Sequence, residues 1–190
     1  MNYMTVSQMF NQVTLDHANR ELYFHKKEDQ WIGITGSEIR STVKKIALAL
    51  QSKGIGRGSN VALLSNNSPR WAMGDYGIIC SGAATVSVYP TLIASQIEYI
   101  LNDSNSTVAM VENQEQLLKI NEIWQNCPQL SYVIVLDESD QSNDERIMNF
   151  TDFMALEIDY QKGNKSSFED LSKIAVPDDL LTLIYSSGTT

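Results

Sequence analysis

Apolar and polar positions in the first third of the chain alternate with two different periods. Glu21–His25 and Trp31–Ile34 flank the polar stretch Lys26–Asp29, and this pattern predicts a β-hairpin. Before and after the hairpin, apolar residues recur at the spacing of one helix face. The first helical set is Val6, Met9, Phe10 and Val13. The second set is Ile39, Val43, Ile46, Ala47 and Leu50, and its helix should end at Lys53–Gly54.

From residue 61 onward, short apolar runs alternate with helical patterns. Strands are predicted at 61–64, 84–88, 107–111, 132–136 and, as a last buried strand, 180–185. Helices are predicted at 70–81, 94–102, 115–125 and 149–161. Ser68 and Pro69 supply an N-cap and a first-turn proline for the first of these helices. Strands alternating with helices predict an α/β fold, a largely parallel sheet flanked by helices.

The composition and net charge of the chain argue against several classes of protein function. The chain has 190 residues, 43% of them hydrophobic, and a net charge of -9, which argues against a nucleic-acid binder. Two cysteines and two histidines, none of them in a metal-ligand spacing, predict neither a disulfide framework nor a metal site. The polar stretch 137–145 is interpreted as a solvated loop, and 162–167 as another loop. Without a signal peptide or a membrane-length apolar run, the expected location is cytoplasmic.

The last residues contain the sharpest chemical pattern. An apolar strand leads into Ser186, Ser187, Gly188, Thr189 and Thr190. Glycine lets backbone N–H groups turn toward an anion, and the hydroxyls add donors, so this run suits phosphate. On composition alone, an ordinary polar turn is the better interpretation. The residues present do not form the glycine-lysine loop of P-loop nucleotide-binding proteins.

Four segments carry a family resemblance. Tyr185–Thr190 resembles the first six positions of the signature loop of adenylate-forming enzymes, Tyr-(Ser/Thr)-Ser-Gly-Thr-Thr. Ser68–Ala83, Val86–Thr91 and Gln96–Ser104 are similar to the corresponding stretches of long-chain fatty acyl-CoA synthetases. Within these stretches the aromatic residues Trp71, Tyr76 and Tyr99 are interpreted as packing residues. Tyr89-Pro90-Thr91 follows a strand and is a weaker functional candidate.

The resemblance implies a reaction and a place within a larger enzyme. A carboxylate would attack the α-phosphate of Mg-ATP, and coenzyme A would then displace AMP to give a thioester. The phosphate-contact candidates are Ser186, Ser187, Gly188, Thr189 and Thr190, while Tyr185 packs at the strand end. The family's catalytic lysine, Mg-associated glutamate, ribose-binding aspartate and adenine segment would all follow Thr190. Residues 1–190 are thus expected to be the N-terminal portion of an AMP-binding domain, ending inside its phosphate loop and without the C-terminal domain. Such a fragment is expected to be inactive alone.

Two alternatives to a fatty acid–CoA ligase stay open. One is another adenylate-forming enzyme, such as an aryl-CoA ligase or a peptide-synthetase adenylation domain. The other is a non-catalytic α/β module that binds a partner protein. The expected partners are small molecules: fatty acid, ATP and coenzyme A. Peripheral membrane contact stays open, and apolar surface left uncovered is expected to favour self-association of the fragment.

Overall fold

A computed structural model describes residues 4–137, 144–164 and 168–186. The chain forms two compact units. The first comprises Met1–Arg57, Asn67–Gly82 and Met154–Asp179, and the second comprises Gly58–Asn66, Ala83–Phe153 and Leu180–Thr190.

The described elements are, in chain order, α1 (Val6–Asp16), β1 (Glu21–Lys27), β2 (Gln30–Thr35), α2 (Gly36–Ser52), β3 (Asn60–Leu64), α3 (Pro69–Ser81), β4 (Ala84–Val88), α4 (Ala94–Asp103), β5 (Val108–Val111), α5 (Gln114–Ile123) with a short 3-10 turn at Trp124–Asn126, β6 (Tyr132–Val135), β7 (Ile147–Asn149), α6 (Phe150–Gly163), α7 (Phe168–Leu171) and β8 (Thr182–Ile184).

In the first unit, local side chains fix where the helices begin. The Thr35 side chain accepts a hydrogen bond from the Glu38 N–H, and the Glu38 carboxylate accepts one from the Thr35 N–H at 2.8 Å. This capping box satisfies backbone donors that the first turn of α2 leaves free. Thr5 and Gln8 form the same arrangement at the start of α1. Both predicted helices are confirmed, and α2 buries the predicted apolar face.

The buried face of α1 differs from the predicted one. Met9 and Val13 are 44% and 42% exposed, whereas Ser7, Phe10 and Thr14 are buried. The two buried hydroxyls are satisfied, because Ser7 Oγ donates to the Ser172 carbonyl and Thr14 Oγ1 to the Phe10 carbonyl, each at 2.8 Å. A polar residue with an internal partner can therefore occupy a core-facing position.

The hairpin of β1 and β2 closes through a two-residue turn. Glu28 and Asp29 both have positive φ, at 46° and 65°. Two successive residues with positive φ match the right-handed twist of an antiparallel pair. The predicted hairpin is confirmed, with the strands paired antiparallel.

The second unit is built on a six-stranded sheet. Its order is β7-β6-β5-β3-β4-β8, and every neighbouring pair is parallel. One face packs with α4 and α5 into an apolar core that includes Val86, Ile97 and Ile120. The prediction of an α/β fold with a parallel sheet flanked by helices is confirmed.

Several predicted boundaries are wrong. The last strand covers only Thr182–Ile184 and lies at a sheet edge, and its Ile184 is 68% exposed, so it is not the buried strand that its apolar sequence predicts. The short β7 was not predicted, and α6 extends through Gly163 into the predicted loop. Residues 138–143 of the acidic stretch and 165–167 of that loop lie outside the described residues. None of the helices described is long and apolar enough to cross a lipid bilayer.

Candidate functional site

Two adjacent strands end side by side at the edge of the sheet in the second unit. β4 and β8 run parallel, with Ser87 opposite Ile184. Tyr89 directly follows β4, while Tyr185 and Ser186 follow β8. Ligands of parallel α/β sheets bind at the carboxyl ends of strands, so this position is favourable for a site.

An open groove of about 650 Å³ lies at these strand ends. Its walls are mainly apolar and aromatic, with a few hydroxyl and amide groups among them. The lining residues are Tyr89, Leu92, Ser95, Gln96, Tyr99, Ile100, Ile184, Tyr185 and Ser186. An apolar cleft with a small number of polar groups is the usual form of a small-molecule site.

Two side chains of α4 contact Tyr185 in the groove. The hydroxyl of Tyr185 donates a hydrogen bond of 2.6 Å to the Asp103 carboxylate. Its ring lies edge-on to that of Tyr99, with centroids 6.3 Å apart and an interplanar angle of 89°. Burial, followed by the neighbouring Asp103 carboxylate, raises the pKa of Tyr185 to about 12. The phenol therefore stays protonated, and remains a donor, at any physiological pH.

The sequence explains why both partners of Tyr185 come from one helix. Tyr99 and Asp103 are four residues apart in α4, so their side chains lie on the same helix face. On the other side of that helix, Ile97, Ile100 and Leu101 are buried in the sheet core. Packing of the core thus directs Tyr99 and Asp103 toward the end of β8.

Only one of the predicted phosphate-contact residues is described. Ser186 is exposed and lines the groove. Ser187, Gly188, Thr189 and Thr190 lie outside the described residues, so their predicted role stays a prediction. The chain enters this run directly from β8, at the edge of the groove.

The predicted packing role holds for one aromatic residue and fails for another. Tyr76 stacks on Phe10 with ring centroids 4.5 Å apart. Trp71 is half-buried. Tyr99, in contrast, is 64% exposed and lines the groove, so its interpretation as a core residue is wrong. Tyr89 is 60% exposed and lines the same groove, which agrees with its placement at a strand end.

Sequence reasoning missed Asp103 altogether. The available signal was its spacing of four from Tyr99 on the polar side of a predicted amphipathic helix. The spacing could not identify the hydrogen-bond partner of Asp103, because Tyr185 lies 82 residues away along the chain.

The other strand ends carry polar groups that satisfy each other. The Asn66 backbone N–H and side-chain amide both donate to the Glu112 carboxylate, at 3.0 and 2.7 Å. Within residues 4–137, 144–164 and 168–186, no group of three or more His, Cys, Asp or Glu side chains is arranged to hold a metal ion. Cys80 and Cys127 are buried free thiols, and burial raises the pKa of both, that of Cys80 to about 12.

Comparisons with known proteins agree with the architecture. Rat long-chain-fatty-acid–CoA ligase ACSBG1 is 27% identical over 186 residues, which are 98% of this chain and 25% of the relative. The chain thus spans about a quarter of the length of the curated relatives that it matches.

Two solved structures share the fold. The anthranilate CoA ligase AuaEII, in complex with anthranoyl-AMP, superposes with a TM-score of 0.77 at 24% identity, over 99% of this chain and 32% of that one. The luciferase-like enzyme of the mealworm Zophobas morio superposes with a TM-score of 0.79 at 20% identity, over 100% of this chain and 41% of that one. The sequence pattern of the AMP-binding enzymes matches residues 10–190, and the chain belongs to that family.

Proposed function

We propose that the full-length protein is an AMP-forming long-chain fatty acid–CoA ligase. The observation that carries this proposal is the placement of Tyr185 and Ser186 at the carboxyl end of a parallel strand, beside an apolar groove. Membership of the AMP-binding enzymes and the names of the curated relatives support it. Residues 1–190 would be the N-terminal portion of its AMP-binding domain, with the C-terminal domain beyond this chain.

The proposed reaction has two steps, adenylation of the fatty acid and transfer of the acyl group to coenzyme A. A carboxylate oxygen of the fatty acid forms a bond to the α-phosphorus of ATP, and the bond from that phosphorus to the bridging oxygen breaks, releasing pyrophosphate. The sulfur of coenzyme A then attacks the acyl carbon, AMP leaves with the carboxylate oxygen, and the thiol proton is lost. Charge that develops on the phosphates needs fixed donors. We assign this role to Ser186, Ser187, Gly188, Thr189 and Thr190.

Mg²⁺ is included in the proposal only for the full-length enzyme. Mg²⁺ is usually bound by one or two carboxylates together with substrate phosphates and water, so its site is completed only when ATP binds. We therefore assign no ligand of the ion to this part of the chain. We also propose that residues 1–190 alone do not catalyse adenylation, because they span only about a quarter of the length of the ligases that they match. ATP–pyrophosphate exchange by the isolated chain above a no-enzyme control would contradict this.

The substrate class is tested by competition on the full-length protein. Acyl-CoA formation would be followed with a C16 fatty acid, an aryl acid and an amino acid, singly and in pairs. The proposal expects the fatty acid to have the highest kcat/KM. Preference for the aryl acid or the amino acid would favour the alternative adenylate-forming enzymes. No thioester or adenylate with any acid would favour a non-catalytic interaction module.

A matched pair of variants tests the phosphate loop. Thr189→Val removes one hydroxyl and preserves side-chain shape, and it should lower kcat for adenylation by about tenfold or more. The control Thr151→Val makes the same change at an exposed position of α6, away from β8. Equal losses in the two variants would count against the assigned loop.

Three further properties belong to the same proposal. We place the enzyme in the cytoplasm, with peripheral contact to membranes as its route to lipid substrates. The isolated chain is expected to self-associate, because apolar residues of the β8 segment are exposed: Leu180, Leu181 and Ile184 at 55%, 40% and 68%. Sedimentation equilibrium of the isolated chain would contradict this by showing a stable monomer.

A further inference from the structure

The strand that leads to Ser186 is weakly held by its own backbone. β8 has three residues, and among the described strands it pairs only with β4, along one edge. Ile184, the last residue of the strand, is 68% exposed and adds little packing. A short edge strand of this kind needs other contacts to hold its end in one place.

The side chain of Tyr185 supplies those contacts. The residue packs against the apolar core of the second unit, its ring meets Tyr99, and its hydroxyl reaches the Asp103 carboxylate at 2.6 Å. All of these partners belong to elements that are fixed in the core: Ile97 and Ile100 of α4 are 0% and 5% exposed. Tyr185 therefore connects the end of β8 to a rigid helix, one residue before Ser186.

The end of α4 is itself tied to the sheet. Asn60, at the start of β3, donates a hydrogen bond of 2.6 Å to the Ser104 carbonyl, next to Asp103. The Ser104 hydroxyl donates to the Ile100 carbonyl at 2.6 Å. Because Asp103 lies between these fixed points, its carboxylate is a fixed acceptor for the phenol.

We propose that Asp103 and Tyr185 are positioning residues for the proposed phosphate site: their hydrogen bond fixes the direction in which the chain leaves β8 and enters Ser186. This inference rests on the proposed phosphate role of the run that begins at Ser186. Neither side chain needs to touch ATP, since the effect is transmitted through the backbone from Tyr185 to Ser186. A change of about 1 Å in the position of an active-site group can lower an enzyme's rate by about a hundredfold, so a shift of this size would be measurable.

Equilibrium binding of ATP to the full-length protein, measured by titration calorimetry, tests the inference. Tyr185→Phe and Asp103→Leu should each raise the Kd for ATP by about tenfold, the factor that the loss of one hydrogen bond to a charged group brings. Asp103→Asn retains an acceptor oxygen and should stay within about twofold of the unmodified protein. The double variant Tyr185→Phe/Asp103→Leu should be no worse than either single variant, because both changes remove the same bond.

A matched control separates positioning from general destabilisation. Tyr160→Phe removes a phenol hydroxyl from the half-buried Tyr160 of α6, in the first unit, and should leave the Kd for ATP within about twofold. In steady-state kinetics, Tyr185→Phe should raise KM for ATP and leave KM for coenzyme A unchanged. A partly unfolded enzyme would instead lose kcat without that selective change in KM.

The outcomes distinguish this inference from the proposed function. An unchanged Kd for ATP in Tyr185→Phe, or an equal rise in Tyr160→Phe, would overturn the positioning role. If the unmodified protein binds ATP but forms no thioester, the proposed function fails while the Kd series still decides the inference. If the unmodified protein does not bind ATP, both are overturned.

Discussion

Gly77 allows α2 and α3 to approach closely in the first unit. A Cβ built at Gly77 would lie 2.3 Å from Cγ2 and 2.6 Å from Cβ of Ile46, which is fully buried. Carbon atoms in contact are normally about 3.5–4.0 Å apart, so Gly77→Ala demands a shift of about 1 Å or more. The contacted atoms belong to a stiff β-branched side chain, which cannot rotate away at low cost.

The sign of the stability change decides whether this reasoning holds. Helix propensity alone would make Gly→Ala stabilise the folded protein by about 1 kcal/mol at a position inside a helix. Overpacking of a buried helix contact destabilises by about 1–3 kcal/mol or more. We therefore expect Gly77→Ala to lower the free energy of unfolding by about 1–2 kcal/mol, measured by urea unfolding followed by circular dichroism.

Two further variants complete the measurement. Gly163→Ala, at the end of α6, adds a Cβ that meets no atom of the described residues within 4 Å, and it should be neutral or slightly stabilising. The double variant Gly77→Ala/Ile46→Ala should lose at least about 1 kcal/mol less free energy of unfolding than the two single variants lose together. The reason is that alanine at position 46 leaves room for the methyl group added at position 77. A Gly77→Ala protein as stable as the control, or additive behaviour of the pair, would refute the close contact.

Two more predictions concern thiols and helix capping. Cys80 and Cys127 should resist alkylation at pH 8 until denaturant is added, since both are buried with raised pKa values; mass spectrometry of labelled peptides checks this, and rapid native labelling would contradict it. Thr35→Ala should cost about 1 kcal/mol in the free energy of unfolding. It should also raise the pKa of Glu38, which hydrogen bonds from Thr35 lower. Because folding lowers the pKa of Glu38, the ionised carboxylate stabilises the folded protein above the ordinary glutamate pKa, and this stabilisation is lost as the pH falls through the lowered pKa. If NMR titration finds the same Glu38 pKa in Thr35→Ala as in the unmodified protein, the capping interaction is contradicted.

The sequence predicts well those helices and strands whose start, end and buried face are determined by residues within or next to the element itself. The helix α2 has a cap, a regular apolar face and a glycine stop, all readable within its own residues. The strand β3 is a continuous apolar run from Val61 to Leu64, as expected for a parallel strand buried on both faces. The order of the strands and the exposure of β8 depend on which neighbours meet in space, and no local pattern encodes them.

The candidate site was predictable only in part, for the same reason. The rule that parallel α/β sheets bind ligands at strand ends drew attention to Tyr89, and the hydroxyl-glycine run drew attention to Ser186; both residues line the groove. The contact between Tyr185 and Asp103 joins residues 82 positions apart, so spacing along the chain could not reveal it. Tyr99 was misjudged because a helical aromatic residue is most often buried, whereas here its face of α4 borders the groove.

Phosphorus-31 NMR of the products of the full-length protein tests the central claim most directly. With ATP, coenzyme A and a long-chain fatty acid, adenylation predicts AMP and pyrophosphate in equal amounts, formed only when the acid is present. ADP and inorganic phosphate as the products, or nucleotide turnover that is independent of the acid, would contradict an AMP-forming ligase.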